Sequence, residues 1–140
     1  MLHGITAERE RRLLQMAIVL FACIPITAGF AGVFWGISIF GDHTIFGRDL
    51  DSHGRYLSGL LLGIGLTFWS LVPRIESHGA VARVLTVIVV IGGLARLWGA
   101  IVLGLPSAAM IGALVMELVV TPLLALWRER VERRGAQGRA

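Results

Sequence analysis

The chain predicts an all-α, membrane-embedded bundle of four transmembrane helices, and three observations predict it. Fifty-six per cent of its 140 residues are hydrophobic, above the roughly 45–50% of an ordinary soluble domain. Long stretches carry no charge: 13–41, 56–73, and 84–127 apart from Arg96 and Glu117. The basic residues are all arginine, and most gather at the chain ends and in the gaps between those stretches. Cationic loops flank membrane spans in this way.

Each element follows from its own stretch. A span needs about 20 mostly apolar residues. The first helix is read as 13–38, with Pro25 kinking it from inside. Its apolar run is longer than the roughly 7–15 residues of a signal-peptide core and ends in no clear small-x-small site, so it reads as a span. The second helix is read as 55–72, entered at Arg55 and stopped at Pro73. The third and fourth, 80–103 and 107–127, are divided by Leu105 and Pro106. All four are too long and too continuously apolar for strands. Residues 1–140 thus read as a single membrane domain, with a basic tail at 128–140 that extends the last helix.

Arginine placement sets the expected orientation. Arg9, Arg11 and Arg12 precede the first helix, Arg74 and Arg83 lie between the second and third, and Arg128, Arg130, Arg133, Arg134 and Arg139 follow the fourth. The gap after the first helix has Arg48 and Arg55 against three aspartates, and the turn "GLPS" has no charge. The positive-inside rule therefore puts both termini in the cytoplasm, and a bacterial inner membrane is the expected location. Trp35 and Trp98 then fall near the outer ends of their helices, Trp69 and Trp127 near the inner ends, as in an aromatic belt.

Several function classes find no support. Cys23 is the one cysteine, so no intrachain disulfide forms. There is no phosphate loop, nucleophile elbow, H-E-x-x-H or C-x-x-C. A nucleic-acid partner is not expected, because the arginines form no patch on a soluble fold. The expected partners are the lipid bilayer and either a second copy or another membrane protein. An enzymatic role has little behind it: His53 could transfer protons, but no oriented acid–base pair is evident. The sequence indicates no particular cofactor.

Reading every fourth residue gives each helix a candidate inward face. The rows are Ala28, Gly32, Gly36; Arg55, Gly59, Gly63, Thr67; Gly92, Arg96, Ala100, Gly104; and Ala109, Ala113, Glu117, Thr121, Ala125. Small residues at this spacing let backbones approach closely in lipid. A lone charge at the centre of a span costs about 2.5–3.5 kcal/mol on insertion scales. Arg96 and Glu117 lie at similar depths on consecutive helices, at about 1.5 Å per residue, so an ion pair across the hairpin is expected. It either pins the helix register or lines a polar cavity that holds a ligand.

The densest polar stretch is "RDLDSHGRYLSG", residues 48–59. Asp51 or Ser52 suits the N-cap of the second helix, and Asp51 can pair with Arg55 one turn on. Alternatively, Asp51, His53, Arg55 and Tyr56 close a pocket above Arg96. Asp42, His43, Asp49, Asp51 and His53 include metal-ligand types but match no ligand spacing, so no metal is assigned. His3 and His78 read as solvent-exposed.

The stretches "LDSHGRYLSGLLLGIGLTFW", "RVLTVIVVIGGLARLWG" and "ELVVTPLLALW" resemble the bacterial membrane proteins grouped as domain-of-unknown-function family 4345. The resemblance covers roughly residues 15–128. It implies a compact four-helix membrane protein with Asp51, His53, Arg55, Tyr56, Arg96 and Glu117 as its polar features, and it implies no activity. The expected function is a small integral inner-membrane protein whose intramembrane pocket, made by those six residues, binds a small anionic or amphipathic molecule such as a lipid. The alternative is an accessory or assembly subunit of a larger membrane complex, with the Arg96–Glu117 pair purely structural.

Overall fold

The computed structural model of the chain describes residues 2–40, 47–75 and 77–137. Those residues are almost wholly helical. Helix α1 is Leu2–Trp35, followed by a 3-10 turn at Gly36–Phe40; α2 is Arg48–Leu71, followed by a 3-10 turn at Val72–Arg74; α3 is Gly79–Leu103. The last helical run comprises α4 (Ala108–Val115), a widened π turn at Met116–Val120, and α5 (Thr121–Gln137). Four segments are long and apolar enough to cross a membrane: Glu8–Ser38, Arg48–Arg74, Gly79–Leu103 and Ala108–Arg134.

The residues group into two compact bodies, one of 16–73 and one of 1–15 with 74–140. In the first, α1 and α2 run antiparallel with almost no space between their backbones. A methyl group placed on Gly29 would lie 2.5 Å from the Leu62 amide nitrogen and 2.8 Å from the Ser58 carbonyl oxygen. One on Gly65 would lie 3.0 Å from the Ile26 nitrogen, and Gly32 abuts the Ser58 side chain. Ile18, Ala22 and Leu71 are the buried apolar side chains of this body.

In the second body α3 packs against α4, the π turn and α5. Leu14, Ile75, Ala82, Leu85 and Val131 form its buried apolar core. The hairpin turn between α3 and α4 depends on Gly104, whose φ of +95° is strained for residues with a Cβ. Gly104 N–H donates to the Ala100 carbonyl at 3.1 Å, and Ile111 N–H to the Ser107 carbonyl at 3.0 Å.

Several sequence expectations need correction. Helix α2 starts at Arg48, not residue 55, and α1 starts at Leu2, not residue 13. Neither Asp51 nor Ser52 caps α2; the cap position is Gly47 and no side chain bonds there. His78 is half-buried rather than exposed; His3 has no described side-chain environment. The inward rows are also displaced in part. The closest approaches on the α1 side are at Gly29, Gly32 and Gly36, and on α2 at Gly54, Ser58 and Gly65; Arg55 also reaches α1, as expected, whereas Gly63 has nothing within 4 Å. On α3 the close approach is at Gly93, not Gly92. The reason is geometric. An α-helix repeats every 3.6 residues, so a row read strictly by fours drifts by about 40° per step. Real contact rows alternate steps of three and four.

Candidate functional site

The hairpin of α3 and α4 brings the two intramembrane-type charges together. Arg96 lies eight residues before Gly104, about 12 Å inside that end of α3 at 1.5 Å per residue. The same rise puts Glu117 about 14 Å inside the start of α4. Gly93, one turn before Arg96, lets the π turn approach: a methyl group there would lie 2.8 Å from Glu117 Cβ and 2.7 Å from Leu118 Cδ2. The two side chains form a bidentate pair. Arg96 Nε donates to Glu117 Oε2 and Nη2 donates to Oε1, both at 3.0 Å. Arg96 Nη1 donates to the Met110 sulfur at 3.1 Å, a weak acceptor. The Arg96 side chain is 35% exposed and that of Glu117 19%.

Glu117 sits within the π turn. Pro122 follows that turn, lacks an N–H, and would crowd the Leu118 carbonyl in a regular helix. A widened turn accommodates such a ring. Thr121 supports the turn by donating its hydroxyl to the Met116 carbonyl at 2.9 Å. Pro122 was the readable signal for this irregularity, and sequence reasoning passed over it.

Asp51 and Arg55 pair one turn apart, as expected, and both also serve the end of α1. The last carbonyls of a helix lack intrahelical partners. Arg55 Nη1 donates to the carbonyls of Val33 and Phe34, at 2.7 and 3.1 Å, which also brings positive charge to the negative end of α1. Arg55 Nε donates to Asp51 Oδ2 at 2.7 Å, and Asp51 Oδ1 accepts the Ile37 N–H at 3.1 Å. Gly36, with φ of +62°, turns the chain beneath this pair; a side chain there would collide with the Asp51 carboxylate. So "DSHGR" is a clasp that closes the end of α1. His53 and Tyr56, also on α2, are exposed, with ring centroids 6.3 Å apart.

The six residues singled out from sequence thus fall into three groups: Arg96 with Glu117, Asp51 with Arg55, and His53 beside Tyr56. Among the described residues, no group of three metal-capable side chains converges. Asp42 and His43 lie outside the described residues.

The family model for a domain of unknown function, DUF4345, matches residues 13–128. The chain belongs to this family. The match takes in the Asp51–Arg55 clasp, Arg96, Glu117 and Arg128 at its last residue. No curated protein and no solved structure matches the chain.

Arg128 is the functional-looking residue that sequence reasoning missed, having counted it with the basic tail. Its side chain is 3% exposed. Nη1 donates to the Ile75 carbonyl at 3.2 Å and Nη2 to Glu132 at 2.9 Å. Gly79 leaves room for the guanidinium; a methyl group there would lie 2.8 Å from Nη2. Arg130 and Arg134 likewise both face Glu10. Only tertiary placement separates the buried Arg128 from Arg133, which is largely exposed.

Proposed function

We propose that this DUF4345 member is an integral membrane protein of four spans, with both termini on the cytoplasmic side of a bacterial inner membrane. Its Arg96–Glu117–Met110 cluster holds the polar head of a small amphipathic molecule. Support for embedding comes from the surface. Leu20, Phe34, Leu60, Val84, Ile91, Ile101 and Leu126 are among many large apolar side chains left exposed, far more than a soluble monomer tolerates. The arginine asymmetry supports the orientation.

One observation carries the ligand reading. A guanidinium has five N–H donors. Glu117 and Met110 take three of those on Arg96, and the remaining two have no protein acceptor among the described residues. The side chain is nevertheless a third exposed at span depth. Hydrocarbon cannot accept those hydrogen bonds, and unsatisfied polar groups there cost several kcal/mol each. A polar atom from outside the chain therefore completes the site. In this reading the Asp51–Arg55 clasp secures the end of α1.

The test is native mass spectrometry of the protein released from membrane nanodiscs, beside the Arg96→Gln/Glu117→Gln double variant. The double change removes both charges together and leaves no orphan. A reproducible adduct on the native chain, absent from a well-expressed double variant, is expected. A native chain that emerges bare would refute the ligand reading.

A second reading has one observation in its favour. In "GLLLG", Gly63 has no atom within 4 Å of where a side chain would start, and Gly59 has only Val33 at 4.0 Å. Open glycines at this spacing are the pattern of a helix-association face, which suits an accessory subunit. Constant co-purification of one membrane partner, lost on Gly59→Leu/Gly63→Leu, would establish it.

A further inference from the structure

Resting on the ligand reading above, we infer that the head group held at Arg96 is an uncharged oxygen acceptor, a carbonyl or hydroxyl on an apolar molecule, and not an anion. The argument is charge balance. Glu117 already engages the guanidinium through both carboxylate oxygens, so the cluster as built is neutral. Met110 contributes no charge. Among the nearby positions 92–99 and 110–121, no second basic residue occurs. An arriving anion would make the site net negative at span depth, where each uncompensated charge is expensive.

It would also compete with Glu117 for a guanidinium whose forked edge is occupied. A neutral carbonyl asks for less. It accepts from the spare N–H groups on Nη1 and Nη2 and leaves both existing Glu117 bonds in place. The Met110 sulfur accepts weakly, so an oxygen that takes over that N–H improves its hydrogen bond. The flexible thioether can then pack against an apolar tail.

Depth distinguishes the sources of such an oxygen. Lipid ester carbonyls lie near the interface of a hydrocarbon core about 30 Å thick, whereas Arg96 is about 12 Å inside its helix end. A free lipid-soluble carbonyl compound therefore fits better than a bilayer phospholipid.

The test uses two probes of matched tail, 2-tetradecanone and dodecane-1-sulfonate, each below its aggregation concentration. The wild-type chain sits in nanodiscs of ether-linked phosphatidylcholine, which has no ester carbonyl, and retention is read by native mass spectrometry. The ketone should be retained at least tenfold better than the sulfonate, about 1.4 kcal/mol. Glu117→Gln should reverse the order, because Arg96 then carries an unbalanced positive charge that a merely structural pair would not turn into anion binding. If that variant fails to fold, the wild-type ratio alone decides.

Repeating the experiment in ester-linked lipid separates the sources. A ketone signal that persists indicates a free compound. One that vanishes indicates that the lipid carbonyl is the occupant, and the acceptor class still holds. Sulfonate retained by the wild type as well as or better than ketone overturns the inference but leaves the binding site standing. Retention of neither probe defeats both.

Discussion

At the residue scale, charged side chains decide most of what is specific here, and each is matched to a group that would otherwise stand unsatisfied. Arg96 and Glu117 compensate each other, so removing one leaves the other an unpaired charge, which the proposed membrane setting makes costly. Arg96→Gln and Glu117→Gln should each destabilise the protein by about 2.5–3.5 kcal/mol, the insertion-scale cost of a lone charge. The double variant should cost less than either single change. Denaturation in mixed micelles measures this, and additive losses would mean that the two charges do not depend on each other. Arg55 serves backbone instead. Arg55→Ala should cost about 1–3 kcal/mol by leaving the Val33 and Phe34 carbonyls without their guanidinium donor, with the lower figure favoured by its partial exposure. The Asp51–Arg55 partnership was legible from spacing alone, because residues four apart on a helix are neighbours. The partners of Arg55 on α1, more than 20 positions away, were not.

At the element scale, helix pairs are positioned by where a backbone can come close. Gly93 is the controlling position of the α3 hairpin. Gly93→Ala places a methyl group 2.8 Å from Glu117 Cβ, an atom close to its own backbone and unable to swing aside. A loss of about 1–3 kcal/mol is expected from this overpacking, together with a weakened Arg96–Glu117 pair. Gly92→Ala, where nothing lies within 4 Å, is the neighbouring control and should be nearly silent. A thermal-stability comparison of the two in detergent decides it. Thr121→Val should cost about 0.5–1.5 kcal/mol, one hydrogen bond, by releasing the hydroxyl from the π turn. Sequence patterning located the helices and the close approaches at Gly32 and Gly36, but it missed Gly29 on α1, Gly54, Ser58 and Gly65 on α2, and Gly93 on α3. A rule of fours ignores the 3.6-residue repeat, and glycine's lack of a side chain gives no clue to which of two adjacent glycines, 92 or 93, is pressed against a partner.

At the scale of the whole molecule, the exposed apolar surface and the arginine distribution make a topological prediction. In a Cys23→Ser background, Ser107→Cys in the α3–α4 turn should react with an impermeant maleimide from outside intact cells. Arg133→Cys near the end of α5 should react only after permeabilisation. The opposite labelling pattern would overturn the proposed orientation. The Glu10 contacts with Arg130 and Arg134 join the start of α1 to the end of α5 within one compact body, so Glu10 and Arg133 are expected on the same side.

The amino-acid sequence by itself determined the helical class, the four apolar segments, the family and the existence of two opposed charges at matching depth. Those follow from composition and from a rise fixed by backbone geometry. Only tertiary structure decided which face of each helix is inward, that Arg55 and Asp51 close the end of α1, and that Arg128 is buried while Arg133 is not. Each of these depends on a contact between residues distant in the chain, and the energy of such a contact is set by angle and distance, which no local spacing encodes.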